Sequence, residues 1–225
     1  CTDKTGTLTL DEIILERYMD VRGNDDMRIL RHAYLNSHFQ SGLKNLIDVA
    51  IISRAESYNM HDLLNYYDVV DEIPFDFARR RMSVVLEDSS GKRQLITKGA
   101  VEEILKNSKY IDRDGVVTLL DDQTREEAFE VYTQHNNDGL RMIAVAQKNE
   151  IPDSHEFGVD DETDLVLIGF IGFLDPPKDS AKPTIESLHN RGVEVVVITG
   201  DSLGVAKNVC SKDGIDTELT YLGNA

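Results

Sequence analysis

A short segment near the start of the chain combines a carboxylate with residues that commonly contact phosphate. Residues Asp3–Thr9 read Asp-Lys-Thr-Gly-Thr-Leu-Thr. The Asp3 carboxylate can attack a γ-phosphoryl group and form an acyl phosphate, provided that a divalent metal screens the repulsion between the two anions. Gly6 lets the backbone approach phosphate closely, and the hydroxyl groups of Thr5 and Thr7 can donate hydrogen bonds to its oxygens. The structural alternative, a glycine turn capped by threonine, accounts for a few of these residues but not for the whole segment.

A second candidate phosphate contact follows the largely β-branched run Val193–Ile198. The run ends in Thr199, Gly200 and Asp201, and the spacing predicts a helix from about Leu203. At the carboxyl end of a parallel strand, before a helix N-terminus, phosphate binding is favoured. We therefore expect Thr199 to lie beside a phosphoryl group, although a glycine turn with a helix cap explains this segment equally well on its own.

The middle of the chain carries candidate nucleotide contacts that are weak one by one. Phe75 can stack on a base, but an aromatic residue before a strand is more often part of the core. The run Arg79–Arg81, with Arg80 at its centre, can pair with phosphate or merely solvate a sheet edge. Lys98 offers a charge to phosphate or a hydrogen bond to a base, and Gly99 leaves room for a flat ring. Lysines at strand ends are usually just solvated.

Composition excludes several other classes of protein. The formal net charge of −17 over 225 residues argues against a nucleic-acid partner, which needs a net basic face. Two cysteines, Cys1 and Cys210, are too few for a disulfide framework, so a reducing, cytosolic setting is expected. The apolar run Leu165–Leu174 is about half the roughly 20 residues that a membrane-spanning helix needs, which predicts a buried strand.

The patterns predict two kinds of fold. The middle is predicted to be α+β with a largely antiparallel sheet, and the end to alternate strand and helix as in a parallel sheet. The predicted helices cover Met27–Leu35, Leu43–Ala55, Val101–Asn107, Asp122–Asn136, Pro183–Asn190 and Leu203–Lys212, and the predicted strands include Met82–Leu86, Gln94–Thr97, Met142–Lys148 and Val193–Ile198, with a hairpin at Asp114 and Gly115. We therefore expect a partial doubly wound parallel-sheet domain (α/β), interrupted by an antiparallel-sheet domain with flanking helices.

The segment Asp3–Thr9 resembles the phosphorylation signature of the P-type ATPases, a branch of the haloacid-dehalogenase-like superfamily, and matches it at every position. By this resemblance Asp3 is the phosphorylated residue of a catalytic motif that includes Lys4. The Asp3 side chain and the Thr5 carbonyl bind Mg²⁺. Phosphatases of the superfamily carry a second aspartate where this chain has Thr5, which cannot serve as general acid and base. The resemblance therefore implies a long-lived acyl phosphate.

Other segments resemble further parts of the same family. Thr199-Gly200-Asp201 is similar to its second phosphate-contacting segment, and Asp175–Lys178 to the hinge between its phosphorylation and nucleotide domains. Phe75–Ser83, Lys98-Gly99-Ala100 and Gly139-Leu140-Arg141 resemble the adenine platform, the nucleotide-pocket lysine and the phosphate- or ribose-contacting arginine. The resemblance places Asp48 near the adenine amino group, in a segment that has Leu46 where proline is commoner. The implied domains are phosphorylation (1–10), nucleotide-binding (11–173) and phosphorylation again (174–225).

The resemblance implies the ATP-binding and phosphorylation region of a cation pump, at the cytoplasmic face of the plasma membrane, with ATP and Mg²⁺ as ligands. The segment Tyr34–Asn45 resembles that of bacterial magnesium-importing members, in which membrane helices absent from this sequence carry the cation. Calcium and proton pumps are the alternatives within the family. A soluble phosphatase and a non-catalytic nucleotide-binding module are alternatives from other classes.

Two features of the family are expected to be missing from this sequence, namely an apolar strand before Cys1 and a Gly-Asp-Gly-x-x-Asn-Asp segment that supplies further Mg²⁺ ligands. We therefore expect the 225-residue chain to be a monomer that binds ATP without turnover.

Overall fold

The computed structural model describes residues 1–4, 6–149, 151, 156–200, 203–218 and 220–221, and for Lys212 the backbone only. The chain divides into two units. The larger unit comprises residues 15–132 and 142–172, and the smaller unit comprises residues 1–14, 133–141 and 173–225.

The elements follow one another as a mixture of strands and helices. The strands are β1 Thr2–Asp3, β2 Ile14–Asp20, β3 Tyr67–Asp76, β4 Arg81–Asp88, β5 Arg93–Gly99, β6 Ser108–Arg113, β7 Val116–Leu119, β8 Arg141–Lys148, β9 Leu165–Leu174 and β10 Val197–Ile198. The α-helices are α1 Met27–Phe39, α2 Leu46–Ser57, α3 Val101–Asn107, α4 Asp122–Asn137, α5 Ala181–His189 and α6 Leu203–Lys212, with short 3-10 helices at Met60–Tyr66 and Val159–Asp161. In the described part of the chain, no helix has the length and hydropathy that a membrane span requires.

A mixed sheet forms the centre of the larger unit. Its strand order is β3-β4-β5-β8-β9-β6-β7, and β2 pairs with β9. The pairs β3–β4, β4–β5, β5–β8 and β6–β7 are antiparallel, whereas β6 and β9 are parallel. The predicted antiparallel strands of the middle segment are thus present, within a sheet that also has a parallel pair. The apolar run Leu165–Leu174 is the buried strand β9.

Helices α1 and α2 pack together, and α1 also lies on β4 and β5. Helix α1 buries one apolar stripe that includes Ile29, Leu30 and Ala33, as its helical spacing predicts. Helix α2 begins at Leu46 and not at Leu43, because the Asn45 side chain caps its N-terminus. Leu43, predicted as part of this helix, is fully exposed (100%).

The smaller unit contains the parallel pair β1–β10, with Thr2 opposite Val197 and Asp3 opposite Ile198. A small apolar core lies beside this pair and consists of Leu8, Ala181, Ile185, Cys210 and Ile215. The predicted strand Val193–Ile198 is shorter in the structure, where the ladder includes Val197 and Ile198 alone. Pro183 lies in the first turn of α5, a position that tolerates proline, so this helix starts two residues before its predicted start.

Candidate functional site

A buried polar cluster lies where α1 and α2 meet β5. The ammonium group of Lys98 donates hydrogen bonds to the carboxylate of Asp48 and to the hydroxyl group of Ser37. The side chains of Lys98 and Asp48 are almost fully removed from solvent. A buried charge is tolerated only when it is paired and hydrogen-bonded, and this pair satisfies that condition.

Asp48 is held in place by the start of its own helix. The carboxylate accepts a hydrogen bond from the backbone N–H of Asn45 at 3.2 Å, while the Asn45 side chain accepts one from the backbone N–H of Asp48 at 3.0 Å. This capping box leaves the second carboxylate oxygen for Lys98. The sequence therefore builds the partner of Lys98 into a helix terminus.

Burial and pairing both act on the pKa values of this cluster. Burial lowers the pKa of Lys98 to about 8, although the charge of Asp48 acts in the opposite direction. For Asp48, burial acts to raise the pKa, but the charge and hydrogen bond of Lys98 outweigh it, and the pKa is lowered. Both groups are therefore ionised at neutral pH, with Lys98 close to its titration range.

Two exposed aromatic rings lie at the end of β3. Phe75 is 48% exposed and Phe77 is 90% exposed, and the ring centroids are 5.4 Å apart with the rings edge to face. Asp76, which lies between them, is registered opposite Arg81, and Arg81 is opposite Gly99. Phe75 thus belongs to the same end of the sheet as Lys98. The two adjacent exposed rings form a small aromatic surface on which a flat ligand ring could stack.

The turn between β3 and β4 carries Arg80 at this same end of the sheet. Arg80 has a positive φ of 49°, and its side chain is 52% exposed. Its carbonyl accepts a hydrogen bond from the backbone N–H of Ala100 at 2.9 Å. Gly99 is required here because a Cβ at this position would lie 2.5 Å from the Arg80 carbonyl oxygen. The glycine serves the close approach of two backbone segments, whereas the sequence had suggested room for a ring.

Sequence reasoning missed Glu162, the buried anchor of this turn. Its carboxylate is fully buried (0% exposed) and accepts hydrogen bonds from Arg79 at 2.5 Å, Arg81 at 2.8 Å and the hydroxyl group of Ser83 at 2.6 Å. Of the three consecutive arginines, the outer two are therefore committed to Glu162. No signal marks Glu162 in the sequence, because it follows two other acidic residues in an apparently solvated run.

In the smaller unit, Asp175 links two of the predicted motifs. One oxygen of its buried carboxylate accepts hydrogen bonds from Lys4 at 2.6 Å and from Arg141 at 3.1 Å. Lys4 itself is fully buried. The ammonium group of Lys178 donates a hydrogen bond to the carbonyl oxygen of Gly6, and Gly6 has the positive φ of 76° that glycine adopts readily. The start of the chain is thus tied to the predicted hinge.

The remaining predicted catalytic residues lie in the same unit. Asp3 is exposed at the end of β1, opposite the end of β10, after which Thr199 and Gly200 follow. Thr5 and Asp201 lie outside the described residues. Among the residues that the structure does describe, no group of three histidine, cysteine, aspartate or glutamate side chains is placed to hold a metal ion.

The structure therefore brings some of the predicted site residues together and leaves others apart. The larger unit contains the predicted nucleotide-site residues at one end of its sheet, namely Asp48, Phe75, Arg80, Lys98 and Gly99. The smaller unit contains the other described ones, namely Asp3, Lys4, Thr199, Gly200 and Arg141. Each unit thus presents one part of the predicted chemistry.

Comparison with known proteins agrees with the motifs. Residues 34–180 match the family described as P-type ATPase, cytoplasmic domain N. The chain is 42% identical over 224 residues to the "Magnesium-transporting ATPase, P-type 1" of Escherichia coli (strain K12), in an alignment covering 100% of this chain and 25% of that protein. A protein of the same name from Salmonella typhimurium (strain LT2) is 41% identical over 226 residues, or 99% of this chain and 25% of that protein.

A "Calcium-transporting ATPase" of Bacillus subtilis (strain 168) is 34% identical over 147 residues, which cover 64% of this chain and 16% of that protein. The chain thus spans about a quarter of the length of the magnesium-transporting relatives.

Proposed function

Because this chain belongs to the P-type ATPases, through their cytoplasmic domain N, we propose that its larger unit binds ATP at the end of the sheet formed by β3, β4 and β5. The observation that carries this proposal is the half-exposed ring of Phe75 at the same end of the sheet as the buried Lys98–Asp48 pair. An aromatic face and a positioned charge are what a purine nucleotide needs for stacking and for phosphate or base contact.

The roles of the individual residues follow from their exposure and charge. Phe75 provides the stacking surface for adenine, and Lys98 provides a hydrogen bond or charge from the floor of the site. Arg80 is the exposed arginine of its run and pairs with phosphate. Because the chain has a formal net charge of −17, we expect an anionic ligand to bind where local cations such as these lie.

Asp48 acts on the nucleotide through Lys98. Its carboxylate is already bonded to Lys98 and to the start of α2, so it orients the ammonium group and holds it charged. Beside this indirect role, the resemblance places the Asp48 carboxylate near the exocyclic amino group of adenine, which could donate it a further hydrogen bond, whereas guanine has a carbonyl oxygen at that position. We therefore propose a preference for ATP over GTP.

In the parent protein, we propose that Asp3 accepts the γ-phosphoryl group of ATP as an acyl phosphate. The resemblance implies that the catalytic set also includes Lys4, Thr5, Thr199, Gly200 and Asp201. It implies as well that Arg141 contacts nucleotide phosphate or ribose. The Asp3 carboxylate and the Thr5 carbonyl are oxygen donors of the kind that Mg²⁺ prefers. When bound there, Mg²⁺ would screen the repulsion between Asp3 and phosphate.

We propose that the parent couples this reaction to cation transport, and that the cation is Mg²⁺, imported toward the cytoplasmic face where this chain lies. The names of the Escherichia coli and Salmonella relatives support magnesium. Calcium is the second candidate, because a calcium-transporting relative also matches most of the chain. Magnesium uptake by cells that produce the full-length protein, compared with cells producing an Asp3→Asn variant, tests the choice of ion.

Titration of the 225-residue chain with ATP and with GTP tests the nucleotide site directly. We expect ATP to bind and to perturb the backbone amide signals of Phe75, Lys98 and Gly99, and GTP to bind less tightly. Binding of ATP without perturbation of these signals would move the site elsewhere. Equal affinity for ATP and GTP would remove Asp48 from the proposal.

A further inference from the structure

The turn that carries Arg80 is tied down by one buried carboxylate that lies outside every predicted motif. Glu162 follows the 3-10 helix Val159–Asp161 and precedes β9, a strand buried along nearly its whole length. Its side chain reaches the first residues of β4, 81 residues earlier in the chain, where Arg81 donates to it. Glu162, which lies just before the central strand β9, thus anchors the turn between β3 and β4.

The hydrogen-bond capacity of Glu162 is largely used in this contact. One oxygen accepts from Arg79 and Arg81, and the other accepts from Ser83, whose hydroxyl group also lies 2.8 Å from that of Thr97. Charge-assisted hydrogen bonds of this kind are short and strongly directional. The Glu162 clamp, by which we mean Glu162 with Arg79, Arg81 and Ser83, therefore fixes the two ends of the turn.

The three consecutive arginines differ in whether they bind Glu162. Arg79 and Arg81 flank Arg80 and both donate to the buried carboxylate, whereas the Arg80 side chain is 52% exposed and lies 3.4 Å from Glu103, which Arg81 also approaches at 3.5 Å. Arg79 additionally donates a hydrogen bond to the carbonyl oxygen of Pro74 at 2.6 Å, which ties the end of β3 to the same anchor. Arg80 is left as the exposed cation of the turn, in a backbone conformation with positive φ that its neighbours must hold.

We propose that Glu162 is a positioning residue for nucleotide binding, which acts by holding Arg80 toward the nucleotide phosphates. This inference rests on the proposed ATP site and adds to it a residue that does not touch the ligand. The direction of the change in ATP affinity distinguishes this role from a simple charge effect. Removal of a negative charge near a phosphate site should tighten binding by Coulomb attraction alone, whereas loss of the clamp should weaken it.

The test compares affinities for ATP and for adenosine, measured by calorimetry on the 225-residue chain. For Glu162→Gln we expect the affinity for ATP to fall by about 3- to 30-fold, the range typical of residues that act through another residue. The affinity for adenosine, which has no phosphate for Arg80, should change much less. In an Arg80→Ala background, Glu162→Gln should have no further effect on ATP.

Asp112→Asn is the matched control. Asp112 is a buried carboxylate of the same unit that pairs with Arg28 at 2.7 Å, away from the turn. We expect it to lower the thermal unfolding midpoint as Glu162→Gln does, but to leave the ATP affinity unchanged. This separates positioning from general stability.

Ser83→Ala is a milder, charge-neutral variant in case Glu162→Gln does not fold. It removes one of the hydrogen bonds to Glu162 and should weaken ATP binding in the same direction, by a smaller factor. Unchanged or tighter ATP binding in both folded variants would overturn the proposal, as would equal losses for ATP and adenosine. Failure of the wild-type chain to bind ATP would instead overturn the proposed function, so the two failures are distinguishable.

Discussion

Phe75 is the residue on which the proposed nucleotide site depends most directly. Its ring is half-exposed at the end of β3, where a stacked base would replace water on an apolar face. We expect Phe75→Ala to weaken ATP binding by about 1–3 kcal/mol, as removal of a base-stacking aromatic residue typically does. Calorimetric titration measures the change.

Phe129→Ala is the control for Phe75. Phe129 lies on α4 in the same unit and is 42% exposed, close to the exposure of Phe75. It should leave ATP affinity unchanged. A comparable loss in both variants would show that general destabilisation, not stacking, explains the effect.

The pKa of Lys98 predicts that the affinity for ATP depends on pH. Since burial lowers its pKa to about 8, the ammonium group loses its charge as the pH rises through this value. The proposed contact to ATP is therefore progressively lost as the pH rises through about 8. We expect the affinity for ATP to fall between pH 7 and pH 9. The total loss of binding free energy should approach about 1.5–3 kcal/mol, which is the typical contribution of a hydrogen bond to a charged group.

The control for this pH dependence is Lys98→Met, which keeps a chain of similar length but cannot titrate. It should bind ATP weakly at pH 7 and pH 9 alike. A wild-type affinity that is constant over this range, or a variant that shows the same decline, would contradict the assignment to Lys98. The measurement uses calorimetry in buffers of matched ionic strength.

At the residue scale, the sequence predicted which side chains matter better than it predicted what they contact. Lys98 and Asp48 were both assigned to a nucleotide site, yet nothing in the sequence indicated that they bind each other across 50 residues. Glu162 was missed for the same reason. A pairing between distant charges depends on sheet register and helix placement, which local patterns do not contain.

At the element scale, Gly99 joins β5 to the turn before β4. A Cβ at this position would meet the Arg80 carbonyl oxygen and the Arg81 Cβ, both at 2.5 Å, and neither can move without shifting backbone. We expect Gly99→Ala to lower the free energy of unfolding by about 1–3 kcal/mol, the usual cost of overpacking. Chemical denaturation measures this change.

Gly158→Ala is the matched control, because a Cβ there would meet nothing within 4 Å and its backbone φ of −134° suits any residue. Its stability should stay near that of the wild-type chain. If Gly99→Ala proved equally stable, the close approach of β5 and the Arg80 turn would not exist in solution.

The elements that the sequence predicted well are those that its periodicity marks without ambiguity. Helix α4, the hairpin β6–β7 and the buried strand β9 follow from spacing and turn residues. The run Val193–Val196 has strong β-propensity, but the structure leaves it outside the ladder, because a strand also needs a neighbour to pair with. Strand β2 was not predicted, since Glu16 and Arg17 interrupt its apolar pattern.

At the scale of the whole molecule, the two units divide the chain differently from a simple cut of the sequence. The predicted domains 1–10, 11–173 and 174–225 remain a prediction about function, while residues 133–141 group with the smaller unit. Arg141 belongs to this group, and its ion pair with Asp175 could not be predicted from a motif that suggested phosphate. Ion pairs between residues far apart in the sequence, such as this one, can be predicted only when the complete fold is known.

We expect the 225-residue chain on its own to bind ATP without forming an acyl phosphate. Transfer to Asp3 brings two anions together, and they repel strongly unless a divalent metal is held between them. Mg²⁺ demands nearly octahedral coordination and is usually held by one or two protein carboxylates together with substrate phosphate oxygens and waters, so with Asp3 as its one carboxylate and the Thr5 carbonyl beside it we expect the ion to be held weakly. Among the described residues, Asp3 belongs to no group of three histidine, cysteine, aspartate or glutamate side chains that could hold a metal ion.

The position of Asp3 adds to this expectation. Its strand β1 is two residues long and pairs with two residues of β10. A strand held by so few hydrogen bonds positions its residues loosely, whereas phosphoryl transfer needs the nucleophile placed to within a fraction of an ångström. Incubation with γ-labelled ATP and Mg²⁺, followed by acid quench and hydroxylamine treatment, measures acyl phosphate directly. Hydroxylamine-sensitive label that is present in the wild-type chain and lost in Asp3→Asn would show that these few contacts are enough to build a working phosphorylation site.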